Sequence, residues 1–336
     1  MSGKLKIGVI GCGGISGWHL GRTKDFEDIE FVGFHDIVKS KAEAMVNIVK
    51  QGKAYDSAVE LYDQGKPDAI YICVPPDQHG AIELEAVKRG IHFLVQKPIA
   101  LDVAVAERIC DLATQYNIIT SVGHQDRYLE VVEETQKFLA DREVALVNAA
   151  WVGGIPGVYW WRRRTTAGGQ VVEQNIHHFD ILRYILGSEP VTVYTASGKG
   201  IVKPNKVKLP GYDVEDYSAT TVTFRNGTVA NIFTGDYVEK GGMDFAGATF
   251  YAKDGTADYK LRNKVTLTDK TGTKEIINSN KFEYNLDRTF IDAVKSGAPE
   301  DIEKIRSPYY DGIKSLKFAL ATNKSIDTGN AVYVNL

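Results

Sequence analysis

Five short runs of near-continuous apolar, β-branched-rich residues, 5–10, 31–34, 69–74, 92–95 and 118–122, punctuate the first part of the chain. Between them apolar positions recur at helical spacing, with Val105, Ile109 and Leu112 four and three residues apart and Ala81, Leu84 and Val87 three apart. This rhythm predicts strand–helix–strand units whose strands, lacking a polar face, form a parallel sheet buried by helices on both sides. From about residue 124 the runs 145–152, 191–197, 219–224, 229–234 and 248–252 alternate more, and Asn226-Gly227 and Asp254-Gly255 sit between them as hairpin turns. The second half therefore predicts a mostly antiparallel sheet. Its helices are expected after Gly168-Gly169, near 287–294, and where Ile313, Leu316 and Leu320 share a face. Residues 199–214, rich in Gly, Pro and Lys, predict an exposed loop.

The turn after the first run sharpens the picture. Gly11-Cys12-Gly13-Gly14-Ile15-Ser16 follows a strand and opens a helix, so glycine permits the tight turn and the helix N-terminus offers unpaired N–H groups to a pyrophosphate. Ser16 takes the third small-residue position. The second strand ends at Phe34-His35-Asp36, where a carboxylate can accept hydrogen bonds from both ribose hydroxyls. The fold class that follows is α/β, with a doubly wound Rossmann sheet over residues 1–123 that binds a dinucleotide and an α+β domain over 124–336. Asp36 repels a 2′-phosphate, which favours NAD over NADP, while Lys39 and Lys41 partly offset that repulsion.

Composition narrows the partners. Of 336 residues, 40 are Lys or Arg and 43 Asp or Glu, a net charge of −3 that provides no global field for nucleic acid or an anionic membrane. The three cysteines, Cys12, Cys73 and Cys110, are scattered and odd in number, which points to a reducing compartment and away from disulfides or structural zinc. No secretory leader or run of about 18 apolar residues is evident, so a soluble cytoplasmic protein is expected.

Two groups of residues suggest chemistry. Gln96-Lys97-Pro98 follows the run 92–95, where open α/β sheets bind ligands, and Glu173, His177 and Asp180 have the spacing of one helix face. Two carboxylates and one imidazole could hold zinc, but no further ligand cluster accompanies them, so no metal is expected. The order of GCGGIS, Asp36, Val74-Pro75-Pro76-Asp77-Gln78-His79, Gln96-Lys97-Pro98 and Gly168-Gly169 through Asp180 resembles the Gfo/Idh/MocA oxidoreductase family over essentially the whole chain. The resemblance implies a C-terminal open antiparallel sheet that serves as a homodimer or homotetramer interface. It transfers catalytic roles to Lys97, Glu173 and His177, with Gln96 standing where the family usually has glutamate and Glu173 where it has aspartate.

Oxidation of a secondary alcohol needs a base for the hydroxyl proton and a cation near the oxygen. His177 and Lys97 supply these in either assignment, with Glu173 orienting or supporting the imidazole. The resemblance also places Val74, Pro75, His79, Gln96, Arg127, Trp161 and Arg162 beside the cofactor, and Asp180 and Tyr284 beside the substrate. Trp160 and Arg163, in Tyr159-Trp160-Trp161-Arg162-Arg163-Arg164, combine an aromatic face with a forked donor suited to a polyol. The expected activity is NAD(P)-dependent interconversion of alcohol and ketone on a sugar, sugar derivative or cyclitol. A glycosidase-like cycle through transient oxidation and a non-catalytic dinucleotide-sensing regulator are the alternatives.

Overall fold

The computed structural model describes residues 3–203, 211–239, 245–279 and 282–336, with backbone alone for 282–284. The chain divides into two compact units, Met1–Gln125 with Lys281–Ile313, and Asp126–Asn280 with Lys314–Leu336.

In the first unit, strands β1 (Leu5–Ile10), β2 (Ile29–His35), β3 (Lys53–Tyr55), β4 (Ala69–Ile72), β5 (His92–Val95) and β6 (Thr120–Val122) form a parallel sheet in the order β3-β2-β1-β4-β5-β6. Helices α1 (Gly14–Thr23), α2 (Lys39–Val49), α3 (Ala81–Lys88) and α4 (Val103–Gln115) connect them. The α4 stripe falls one residue from the predicted one: Ala106, Ile109 and Ala113 are buried, whereas Val105 and Leu112 are half-buried, and Asp102 caps the helix by accepting from Ala104 N at 2.8 Å. Strand order reverses between β1 and β4, the switch point where such sheets bind ligands beyond their carboxyl ends.

The second unit holds a nine-stranded sheet. Its strands are β7 (Val144–Gly153), β8 (Pro190–Gly198), β9 (Tyr217–Phe224), β10 (Val229–Asp236), β11 (Phe245–Ala252), β12 (Gly255–Lys260), β13 (Lys264–Asp269), β14 (Gly272–Ile277) and β15 (Val332–Tyr333). They lie in the order β14-β13-β12-β11-β7-β10-β9-β8-β15, antiparallel except where β7 pairs with β10. Both predicted hairpin turns fall between paired strands, Asn226-Gly227 joining β9 to β10 and Asp254-Gly255 joining β11 to β12. One sheet face carries Val147, Val222, Ile232, Phe250 and Tyr259, all buried. Helices α5 (Glu130–Leu139), α6 (Ile176–Leu186) and α8 (Tyr309–Thr328) belong largely to this unit, with α7 (Phe282–Ser296) preceding α8 in the chain. Phe179 of α6 stacks on Phe318 of α8 at 4.2 Å, and Phe224 of β9 meets Phe318 edge-on at 6.2 Å. Each such buried ring contributes roughly 1.5–3 kcal/mol.

A division after residue 123 describes the chain order but not the packing. Residues 281–313 belong to the first unit, because α7 packs on α1: His19 Nδ1 lies 2.7 Å from Asp287 Oδ1, both side chains fully buried. Arg288 and Lys295 bind Asp28 at 3.0 and 2.7 Å, and Ser307 exchanges two 2.7 Å hydrogen bonds with Val122 at the end of β6. The loop expected over 199–214 is partly built in, since Ile201 and Val202 donate backbone N–H groups to buried Asp216 at 2.7 and 3.0 Å. Residues 204–210 lie outside the described residues.

Candidate active site

The glycine turn has the geometry its sequence predicts. Gly11 has φ +83°, and a Cβ there would lie 2.3 Å from the Cys73 carbonyl oxygen, so glycine alone fits. Above Gly13 and Gly14 nothing approaches within 4 Å of where a Cβ would stand, and α1 begins with no side-chain cap. This leaves an open cradle with helix N–H groups, which fits a pyrophosphate. Ile15 lies in the first turn of α1, and buried Ser16 donates its hydroxyl to Gly13 O at 2.8 Å, which accounts for serine in place of a third glycine. Val74 borders the turn, its Cγ1 3.1 Å from the Cβ position of Gly11, and Pro75 leads into the short turn Pro76–Gln78.

At the end of β2 the Asp36 carboxylate accepts from Cys12 N and Val38 N, both at 2.8 Å, which fixes its direction beside the cradle. Lys39 is drawn away to Asp56 at 2.5 Å. Burial, then the Asp36 charge, push the Cys12 thiol up to about 12, so it is an inert part of the turn.

Gln96 is turned inward. Its amide lies 2.6 Å from His19 Nε2, and an amide N–H can only donate there, so His19 carries its proton on Nδ1 and donates it to Asp287. Through this buried hydrogen-bond chain the Gln96 side chain anchors the strand end that bears Lys97. His79 is similarly committed. Its Nδ1 meets Glu83 at 2.5 Å, and Glu83 in turn accepts from Gly80 N at 2.7 Å to cap α3. His79 Nε2 is buried with no partner among the described residues.

In the second unit the predicted single helix face is broken. Glu173 ends a separate turn, Gln170–Glu173, and α6 begins at Ile176, with His177 N bonded three residues back to Gln174 O. Glu173 accepts a hydrogen bond from the buried Trp161 indole. The carboxylate beside His177 is instead Asp126, whose Oδ2 lies 3.7 Å from His177 Nδ1. Arg262, in the turn between β12 and β13, grips Asp126 with Nε at 2.6 Å and Nη2 at 3.1 Å. Trp151 of β7 lies against His177, ring centroids 5.5 Å apart, and its face is 5.8 Å from the Arg262 guanidinium. The neighbouring His178 is buried with Nε2 3.3 Å from Gly247 O, and burial holds it at about 4, a packing residue without charge.

Several of the expected contact residues have partners within their own unit. Asp180 and Arg127 form a buried bidentate pair at 2.8 and 2.6 Å, and Ser315 donates to Asp180 at 2.7 Å. The pair closes because α6 places Asp180 beside the segment that carries Arg127, and Arg127 also stacks on Tyr184 at 4.9 Å. Arg162 donates twice to Pro156 O, at 2.8 and 2.6 Å, which turns it into its own loop, and Trp161 is inward with Glu173. Trp160 and Arg163 remain partly exposed, Arg163 lying 5.4 Å over the Tyr159 ring. The side chain of Tyr284 lies outside the described residues.

Behind Glu173, Asp236 at the end of β10 accepts from Gln174 Nε2 at 2.9 Å, and burial followed by the Glu173 charge raise it to about 8. Asp126, Arg262, Trp151, Asp236, His19 and Asp287 carry no motif and reach their places only through tertiary packing. Among the described residues no cluster suits a metal ion, and no helix is long and apolar enough to cross a membrane.

Comparison with known proteins agrees with this architecture. The profile of the oxidoreductase family with NAD-binding Rossmann fold matches residues 5–124, and the GFO/IDH/MocA C-terminal domain matches 143–257. The myo-inositol 2-dehydrogenase of Thermotoga maritima is 25% identical over 98% of both chains. The D-glucoside 3-dehydrogenase of Escherichia coli is 24% identical over 68% of this chain and 69% of its own. An oxidoreductase domain protein from Kribbella flavida superimposes with a TM-score of 0.86 at 18% identity, covering 99% of this chain and all of that one, a likeness of fold.

Proposed function

Because the chain belongs to the Gfo/Idh/MocA family of oxidoreductases, we propose that it is an NAD-dependent dehydrogenase interconverting a secondary hydroxyl and a ketone on a sugar, sugar derivative or cyclitol. The observation that carries the reading is the full-length likeness to myo-inositol 2-dehydrogenase in a chain that keeps Lys97 and His177. The bound dinucleotide supplies the hydride acceptor. With Nδ1 turned to Asp126, His177 takes the hydroxyl proton on Nε2. Lys97, at the carboxyl end of β5 beyond the anchored Gln96, is the cation that favours developing alkoxide. Glu173, held by Trp161, is the remaining charged member of this machinery.

The preference for NAD over NADP is supported by Asp36, held by two backbone N–H groups, and by the engagement of Lys39 with Asp56, which occupies one of the two cations able to receive a 2′-phosphate. Three free cysteines suit a reducing, cytoplasmic setting. The exposed sheet face supports a homo-oligomer: Tyr194, Phe233, Leu146 and Tyr251, on strands β8, β10, β7 and β11, are between 43% and 53% exposed.

The test is a panel of inositols, pyranoses and glycosides scored by NADH absorbance. Lys97→Ala and His177→Ala are each expected to lower kcat by about 10²- to 10⁴-fold while NAD binding stays within a few-fold of native. Native turnover in either variant overturns the reading. Release of an aglycone without net NADH would establish the glycosidase-like cycle, and tight NAD binding without turnover would establish a regulator.

A further inference from the structure

Arg262 stands in the tight turn between β12 and β13, where Asn263 N bonds back to Lys260 O at 3.0 Å and the Arg262 φ of +58° belongs to the turn itself. The turn carries the side chain to Asp126 and Trp151. The guanidinium forms a fork onto Asp126 at 2.6 and 3.1 Å, lies 5.8 Å over Trp151, and its backbone N donates to the Tyr259 hydroxyl at 3.3 Å. Asp126 is buried, and the same Oδ2 that accepts from Nη2 lies 3.7 Å from His177 Nδ1. Trp151 holds the imidazole plane from the other contact, the two rings tilted by 32°.

The charged and titratable groups around His177 come from several elements. Asp126 comes from the turn Gln125–Tyr128, Arg262 and Tyr259 from β12 and its hairpin, and His178 follows on α6. Glu173 and Asp236 lie on the preceding turn and on β10. Of these, the described ion pairs join His177 to Asp126 and Asp126 to Arg262.

We propose that Asp126 and Arg262 are a positioning pair for His177: Asp126 orients the imidazole and strengthens its hold on a proton, and Arg262 fixes that carboxylate while tempering its charge. The proposal rests on the dehydrogenase reading for what His177 does, but the two can fail separately. The sign follows from charge. Removing the anion disfavours imidazolium and lowers the His177 titration midpoint, whereas removing the cation leaves the anion uncompensated and raises it.

The experiment is an NMR titration of the NAD-loaded protein labelled at histidine, with the His177 signal identified by its loss in His177→Gln. Asp126→Asn is expected to lower the midpoint by about one pH unit and Arg262→Gln to raise it by about half a unit. Arg262→Lys, keeping the charge without the fork, should leave the midpoint near native yet lower kcat by about tenfold at unchanged KM, with the best polyol of the panel as probe. Midpoints that stay put, or move the same way in both neutral variants, overturn the proposal. Should Asp126→Asn not fold, Arg262→Gln decides alone, since its side chain is 30% exposed: a midpoint unchanged or lowered refutes the pair. Native turnover in His177→Gln would end the dehydrogenase reading while leaving the titration result intact.

Discussion

Asp236 shows how a single buried carboxylate ties stability to pH. Its value of about 8, set by burial and then by Glu173, lies far above the ordinary 3.8, so between these values the native protein holds a proton that the unfolded chain has released. Stability from this group is therefore lost as pH rises from about 4 through about 8. Asp236→Asn keeps the oxygen that accepts from Gln174 at 2.9 Å and removes the ionisation. Relative to native, the variant should gain roughly 2–4 kcal/mol of stability between pH 5 and pH 8, as read by calorimetry in the two buffers. At the same scale, Asp36→Ala should weaken NAD binding by about 10- to 100-fold, measured by fluorescence titration, because charge-assisted hydrogen bonds to the ribose are lost. Asp36 was legible from its distance after the glycine turn; Asp236 was not, because nothing local distinguishes it from other acidic strand ends. Gln96 makes the same point in reverse. Its departure from the family's glutamate is visible in sequence, but the hydrogen-bond chain to His19 and Asp287 that holds its amide crosses nearly the whole chain.

Among elements, the glycine turn, the connecting helices and both hairpins follow from periodicity and turn chemistry, since each is decided by neighbours in sequence. Gly11→Ala tests the turn. With φ at +83° and a Cβ 2.3 Å from the Cys73 oxygen, the variant should lose more than about 1 kcal/mol of stability in denaturant unfolding and fail to bind NAD. The helix expected to carry Glu173, His177 and Asp180 together is where periodicity misleads. Spacing gives a face only if one helix is continuous, and here the chain tightens at Gln174 and Asn175, so Glu173 is directed to Trp161 and Asp180 to Arg127. The sequence spacing also could not show that a hairpin would bring Arg262 to Asp126, a separation of 136 residues.

On the scale of the whole molecule, the alternating pattern of the second half predicts a sheet with one buried face, and the exposed face is the more informative one. Leu146 pairs directly with Tyr251 across β7 and β11, which sets two large apolar side chains side by side in solvent. Leu146→Glu combined with Phe233→Glu should convert an oligomer to monomer without loss of the fold, visible by light scattering coupled to gel filtration; an unchanged mass would exclude this face. The order of synthesis carries a last consequence. The first unit takes its final helix from residues 282–296, so His19 has no Asp287 to receive its proton until the ribosome has made nearly the entire chain. All but the last strand of the nine-stranded sheet leaves the ribosome before the dinucleotide-binding unit is complete, so the N-terminal unit, made first, is the one that must wait. A nascent chain stopped near residue 280 should remain sensitive to protease in its first 125 residues.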